Sequence, residues 1–122
     1  MDKLIKALVI FFILDMIYIN FFIKTPFNKM IKNIQGSGID INIYSAGLCY
    51  LVLFYSFYHF ILKKNFKSKN ERIKEAFILG FCIYAVYDLT NHATIKNWSN
   101  YVVIIDSIWG GILFALTSYL IN

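Results

Sequence analysis

Four long apolar segments, separated by short polar connections, leave this chain very few ways to fold. The segments lie at about residues 4–23, 43–62, 73–91 and 101–121. A helix of roughly 20 apolar residues, rising about 1.5 Å per residue, crosses a hydrocarbon layer about 30 Å thick. Four such helices and their connections use nearly all 122 residues. The sequence therefore predicts one all-α domain, residues 1–122, folded as a four-helix transmembrane bundle.

Composition and charge exclude other classes of protein. The chain is 59% hydrophobic and 19% aromatic, which is too apolar for a soluble domain. Its net charge of +5 comes from basic residues that flank the apolar segments, where they meet anionic lipid headgroups. We therefore expect a lipid bilayer as partner and no nucleic acid. The sequence also contains no cofactor fingerprint, so we expect no cofactor.

The first connection carries an amphipathic pattern. Thr25 and Pro26 are typical of a helix start, and Gly36 and Gly38 of its end. Four apolar residues lie between them at helical spacing, namely Phe27, Met30, Ile31 and Ile34. We predict a short amphipathic helix on the membrane surface between spans 1 and 2, with an ordered loop as the alternative.

The second segment carries a small-residue patch and a cysteine. Ser45, Ala46 and Gly47 favour the close approach of another helix.

Cys49 lies near the start of this segment and Cys82 near the start of the third, which places them at opposite depths. We therefore expect two buried free thiols and no disulfide.

The distribution of basic residues predicts how the chain is oriented in the membrane. Eight of the twelve Lys and Arg residues lie in the N-terminal stretch and the second connection, and four lie in the first and third connections. Because basic residues are enriched on the cytoplasmic side, both termini are predicted to be cytoplasmic in a multi-pass protein. Trp98 and Tyr101 are then expected to anchor the opposite interface.

Each of three segments carries one aspartate at a similar depth. Asp15 lies about 16 Å and Asp88 about 18 Å from the cytoplasmic start of its apolar stretch, and Asp106 lies about 22 Å from that face. At helical spacing, polar and aromatic residues lie on the same helix face as each aspartate. The predicted stripes are Phe11, Asp15, Tyr18 and Phe22; Tyr84, Tyr87, Asp88 and Asn91; and Asp106, Trp109, Gly110 and Thr117.

We expect these stripes to converge inside the bundle as a binding site. Its candidate residues are Asp15, Asp88, Asp106, Asn91, Tyr87, Trp109, Tyr84 and Tyr18. Lys6 and Lys74 lie at the ends of their segments and no Lys or Arg lies near the depth of the aspartates, so the carboxylates need a proton or a bound cation. Intramembrane ionisable residues are often functional, although these side chains could also act only as interhelical hydrogen bonds worth about 0.6 kcal/mol each. Asp88 and His92 have metal-ligand spacing, but His92 falls at the interface and no metal site is predicted.

The motifs around these aspartates resemble those of a family of predicted membrane proteins, domain of unknown function 2177. The matching stretches are Phe12–Tyr18, Tyr44–Leu48, Tyr87–Asn91 with Trp98, and Asp106–Gly110. The resemblance covers all four segments and implies a four-helix membrane protein with signature positions at Asp15, Asp88, Asn91, Asp106 and Trp109. It implies no activity.

Three functions remain open at this stage. The first is a membrane protein whose acidic pocket binds or translocates a proton, a cation or a small cationic solute. We expect a chain this small to form a homo-oligomer if it builds a pathway. The alternatives are a non-catalytic assembly or scaffold protein and an intramembrane lipid-modifying enzyme. No nucleophile motif supports the enzyme, so catalytic residues stay unassigned.

Overall fold

The computed structural model describes residues 2–121, and every regular element within them is helical. The helices are α1 (Asp2–Tyr18), α2 (Lys24–Gln35), α3 (Ile43–Phe57), α4 (Lys69–Thr94) and α5 (Asn100–Leu120). A π-helical turn extends α1 over Ile19–Ile23 and another extends α3 over Tyr58–Leu62. Because α1, its π-helical turn and α2 are continuous, the chain forms a bundle of four long helices. The all-α, four-helix prediction is confirmed.

Three helices among residues 2–121 are long and apolar enough to cross a membrane. They are Lys3–Gln35, Ile43–Leu62 and Asn100–Leu120. Helix α4 is 26 residues long, but charged residues at its start and polar residues at its end shorten its apolar stretch. The crossing of the membrane by α4, the four span boundaries and the cytoplasmic termini therefore stay predictions.

The amphipathic helix after the first span is present, but it is not a separate element. Thr25 does not cap a new helix, because the helical backbone continues from Tyr18 through the π-helical turn into α2. Pro26 has no N–H to donate to the preceding turn, and a π-helical turn just before it lets the helix continue. Helix α2 ends at Gly36, whose left-handed backbone (φ 81°) donates its N–H to Lys32 O at 2.9 Å.

The apolar face of α2 contacts protein. Met30 is buried with Trp98 and Val102, and Phe27, Ile31 and Ile34 pack around them. Trp98 is therefore a core residue, and its prediction as an interfacial anchor is wrong. Tyr101, by contrast, is exposed.

Helices α4 and α5 form a tight antiparallel pair. Gly80 and Gly110 face each other so closely that a Cβ on Gly110 would lie 2.6 Å from Gly80 O. At the other end of the pair, the Arg72 guanidinium donates to Ser118 Oγ at 2.9 Å and Ser118 O at 2.8 Å. Ser68 caps α4 by accepting a hydrogen bond from Glu71 N–H at 3.1 Å.

Two apolar layers enclose the middle of the bundle. One is built around Phe11, Phe57 and Phe114, whose ring centroids lie 5.4–6.2 Å apart. The other is the cluster around Met30, Trp98 and Val102. Along α1, α4 and α5 the three aspartates lie between these layers, so the polar residues occupy a layer of their own.

Candidate functional site

Asp15 is held by donors from two other helices. Its side chain is buried on α1, and its Oδ1 accepts a hydrogen bond of 3.0 Å from Trp109 Nε1 on α5. Its Oδ2 accepts a short hydrogen bond from the Tyr50 hydroxyl on α3. A buried carboxylate needs such donors because water no longer solvates it.

Asp106 on α5 accepts its hydrogen bond from α1, whereas Asp15 on α1 accepts one from α5. The Tyr18 hydroxyl on α1 donates to Asp106 Oδ1 on α5 at 2.9 Å, whereas Trp109 on α5 donates to Asp15 on α1. The Tyr18 and Trp109 rings stack with their centroids 4.6 Å apart and their planes within 7°. Each helix therefore supplies the donor for the other helix's carboxylate, and the stacked rings fix both donors in place.

Asp88 is fully buried and has no such support. Within the described residues, neither carboxyl oxygen has a hydrogen-bond partner. Asp106 and Trp98 lie close to it, but neither forms a hydrogen bond with it, and Trp98 Nε1 is also buried without a partner among the described residues. An ionised carboxylate there would be uncompensated, at a cost of several kcal/mol. This position therefore favours a neutral Asp88 or a bound positive charge.

Two clefts reach this polar layer. The wide cleft has a volume of about 600 Å³ and the narrow cleft about 270 Å³. Four residues line both: Asp15, Tyr84, Tyr87 and Asp106. The wide cleft is completed by residues of α3 and by Ile83, and the narrow cleft by residues from Tyr18 to Phe27 and by Ile39. Asp15 and Asp106 therefore face two openings, with Asp88 behind Asp106.

The structure brings most of the predicted site residues together. Asp15, Asp106, Tyr18 and Trp109 form the hydrogen-bonded centre, and Tyr84 and Tyr87 line both clefts. Asn91 does not join them. It is half-buried beside Tyr87 and lines neither cleft.

The stripe predicted on α1 fails at its last member. Phe22 is 66% exposed, whereas Ile23 is buried. The cause is the π-helical turn over Ile19–Ile23, which adds a residue to the turn and rotates the following side chains away from the regular spacing.

Sequence analysis missed Tyr50, the residue by which α3 reaches the site. It lies seven residues before the buried Phe57, on the face of α3 that packs on the bundle, and this spacing could have identified it. The patch at Ser45, Ala46 and Gly47 suggested a different contact face. Gly47 has open space around it, so that prediction is wrong for packing within this chain.

The His and Cys side chains considered as metal ligands do not join the hydrogen-bonded centre. His92 is exposed and contacts Asn100 Oδ1, so it does not pair with the buried Asp88. Cys49 and Cys82 are free, as predicted, but they are exposed. Among residues 2–121, no group of three or more His, Cys, Asp or Glu side chains is close enough to hold a metal ion.

Comparison with known proteins gives one match. A family model described as "Predicted membrane protein (DUF2177)" matches residues 2–121. No match to a curated protein or to a solved structure was found.

Proposed function

Because the chain belongs to the DUF2177 family of predicted membrane proteins, we propose that it acts within the bilayer by binding a small cationic solute, or a proton in its place, at the layer formed by Asp15, Asp88 and Asp106. Asp15 and Asp106 line both clefts, so the proposal includes passage of the bound species from one cleft to the other. One observation carries it: two carboxylates and, among residues 2–121, no Lys or Arg line the wide cleft.

The walls of the wide cleft support an organic cation. Tyr50, Tyr84 and Tyr87 line the cleft beside the carboxylates. Aromatic faces attract cations, most strongly where water is excluded. A volume of about 600 Å³ also lies within the range of small-molecule sites.

The arrangement of the carboxylates favours such a solute over a metal ion. The structure offers no three-residue metal group within residues 2–121, and Asp15 already accepts hydrogen bonds at both oxygens. Asp106 has one hydrogen bond, from Tyr18, and lines the cleft. Asp106 is therefore the carboxylate that we assign to the solute.

Binding tests this proposal directly. Protein in nanodiscs is dialysed against tetramethylammonium, hexyltrimethylammonium and decyltrimethylammonium in turn, and protein-free nanodiscs correct for lipid partitioning. We expect at least one probe to bind, and Asp106→Asn to weaken it about tenfold, which corresponds to about 1.4 kcal/mol. Asp40→Asn is the matched control, because Asp40 is exposed in the α2–α3 connection.

Proton uptake provides the second readout. Vesicles that contain the protein and a pH-sensitive dye are exposed to a proton gradient, with wild type compared with Asp88→Asn and Asp106→Asn. The proposal is wrong if no probe binds in an Asp106-dependent way and all vesicles take up protons alike. In that case Asp→Asn changes would affect only stability, as expected for a scaffold protein.

A further inference from the structure

The wide cleft is polar at one end and apolar at the other. Its inner end holds the carboxylates of Asp15 and Asp106 and the hydroxyl of Tyr50. Its outer rim on α3 includes Leu48 and Val52, whose side chains are 62% and 68% exposed, together with the exposed Ser45 and Cys49. A ligand that fills the cleft from end to end must therefore be charged at one end and apolar at the other.

The rim lies at the depth of the acyl chains. Ile43–Leu62 is long and apolar enough to cross a membrane. Leu48 and Val52 lie about 8 Å and 14 Å along this helix from its first residue, well inside a hydrocarbon layer about 30 Å thick. The cleft between α3 and α4 therefore opens sideways toward lipid.

We propose that the solute is an amphiphilic cation, with a single positively charged headgroup on an apolar tail, and that it enters the wide cleft sideways from the bilayer. This inference rests on the function proposed above. The headgroup reaches Asp106 beside Tyr84 and Tyr87, and the tail lies between Leu48 and Val52. The tail keeps its apolar surroundings throughout, so only the headgroup exchanges one environment for another.

The buried, unpartnered Asp88 supports a positive charge at the inner end. Its carboxyl group lies next to Asp106 and has no hydrogen-bond partner within the described residues. A cationic headgroup at Asp106 would offset the negative charge of the pair. Among the described residues no Lys or Arg lines the wide cleft, so a ligand in that cleft would supply this compensation.

The narrow cleft is less suited to such a molecule. It is less than half as large, and Lys24 lines it beside Phe27. The Lys24 ammonium group repels a cationic headgroup, and the small volume leaves little room for a tail. Amphiphilic cations should therefore use the wide cleft.

Tail length and one pair of neighbouring residues test the inference. In the dialysis experiment, the apparent Kd referred to the aqueous concentration should fall about fourfold per added CH₂ between the hexyl and decyl probes. Val52→Phe narrows the rim and should weaken decyltrimethylammonium binding about tenfold. Leu51→Phe is the matched control, because Leu51 is also 68% exposed on α3 but does not line the cleft.

The outcomes separate this inference from the proposed function. If tetramethylammonium binds through Asp106 as tightly as decyltrimethylammonium, or if Val52→Phe and Leu51→Phe behave alike, the solute is not an amphiphile entering from lipid, and the proposed function stands. If no probe shows Asp106-dependent binding, the inference fails together with cation binding. Val52→Phe and Leu51→Phe both replace exposed residues, so neither result depends on a damaged core.

Discussion

The α4–α5 pair and helix α3 form opposite walls of the same site, but they are held in different ways. Gly80 and Gly110 bring the α4 and α5 backbones into contact, and Arg72 ties the start of α4 to the end of α5. In α3 and its π-helical turn only Phe57 and Ile61 are buried, both toward its end. The first half of α3 reaches the polar layer through the hydroxyl of Tyr50.

This difference indicates how the protein can combine a fixed site with access to it. Close backbone packing holds Asp88 and Asp106 in a constant geometry, because interhelical contacts between small residues tolerate little displacement. The first half of α3 reaches the polar layer through one side-chain hydrogen bond, so it can move at a smaller energetic cost than the α4–α5 pair. We therefore expect α3 to be the mobile wall of the wide cleft and α4–α5 to be the frame.

The largest expected effect comes from adding a methyl group to the frame. In Gly80→Ala the new Cβ would lie 2.7 Å from the Phe114 ring and 2.9 Å from Gly110 C. We expect a loss of about 1–3 kcal/mol or more in the free energy of unfolding, measured by circular dichroism during denaturation in micelles. Gly47→Ala on α3 is the control, because among the described residues nothing beyond its own helix backbone lies within 4 Å of the Cβ position. It should be neutral or stabilising by up to about 1 kcal/mol, and equal losses would contradict the comparison.

The two buried aspartates should respond differently to the same change. Asp15→Asn disturbs hydrogen bonds from Tyr50 and Trp109, so we expect a loss of about 1–3 kcal/mol in unfolding free energy. Asp88→Asn removes a carboxylate that has no partner within the described residues. Because no hydrogen bond within the described residues is lost, Asp88→Asn should lower the free energy of unfolding by less than Asp15→Asn does, or raise it. The same denaturation experiment measures both, and a larger loss for Asp88→Asn would show that a hidden partner stabilises its carboxyl group.

Removing one hydroxyl should release the mobile wall. Tyr50→Phe leaves Asp15 with Trp109 alone, and we expect a loss of about 1 kcal/mol. Hydrogen exchange should accelerate in residues 43–52 and stay unchanged in α4 and α5. Tyr55→Phe is the control, because Tyr55 is 61% exposed on the same helix. Unchanged exchange in Tyr50→Phe would mean that other contacts position α3.

The smallest expected effect is a change in thiol reactivity. Cys49 lines the wide cleft, whereas Cys82 lies elsewhere on the surface. Bound decyltrimethylammonium should slow N-ethylmaleimide labelling of Cys49 about two- to threefold and leave Cys82 unaffected. Mass spectrometry of Cys49→Ser and Cys82→Ser variants assigns each rate. Equal protection of both thiols would indicate a general effect of the detergent-like probe on the bilayer.

Periodicity was enough to predict the helical fold and that side chains of α1 and α5 meet, as Tyr18 and Asp106 do. The spacing of Asp15 and Tyr18, and of Asp106 and Trp109, already placed each aspartate on one face with a hydrogen-bond donor. Regular spacing could not predict the exposed Phe22, because the π-helical turn at Ile19–Ile23 changes the period of the helix. The contacts of Tyr50 and Trp98 depend on how α3 and the α4–α5 connection pack against the other helices. Such packing is a tertiary property that the local sequence pattern does not encode.

The small residues also led to a wrong prediction of which helices are in close contact. Small residues at 45–47 and at Gly80 and Gly110 look alike in sequence, since both permit close approach. Only the second set meets another backbone. The partner helix decides which small residues are used, and the sequence of one helix does not specify that partner.

The most direct test of the account is a nuclear Overhauser experiment on the protein in nanodiscs with decyltrimethylammonium. We expect nuclear Overhauser contacts from the trimethylammonium protons to the rings of Tyr50 and Tyr84. The tail protons should contact Leu48 and Val52. These contacts should disappear in Asp106→Asn. Headgroup contacts only with residues at the helix ends, unchanged in Asp106→Asn, would contradict it.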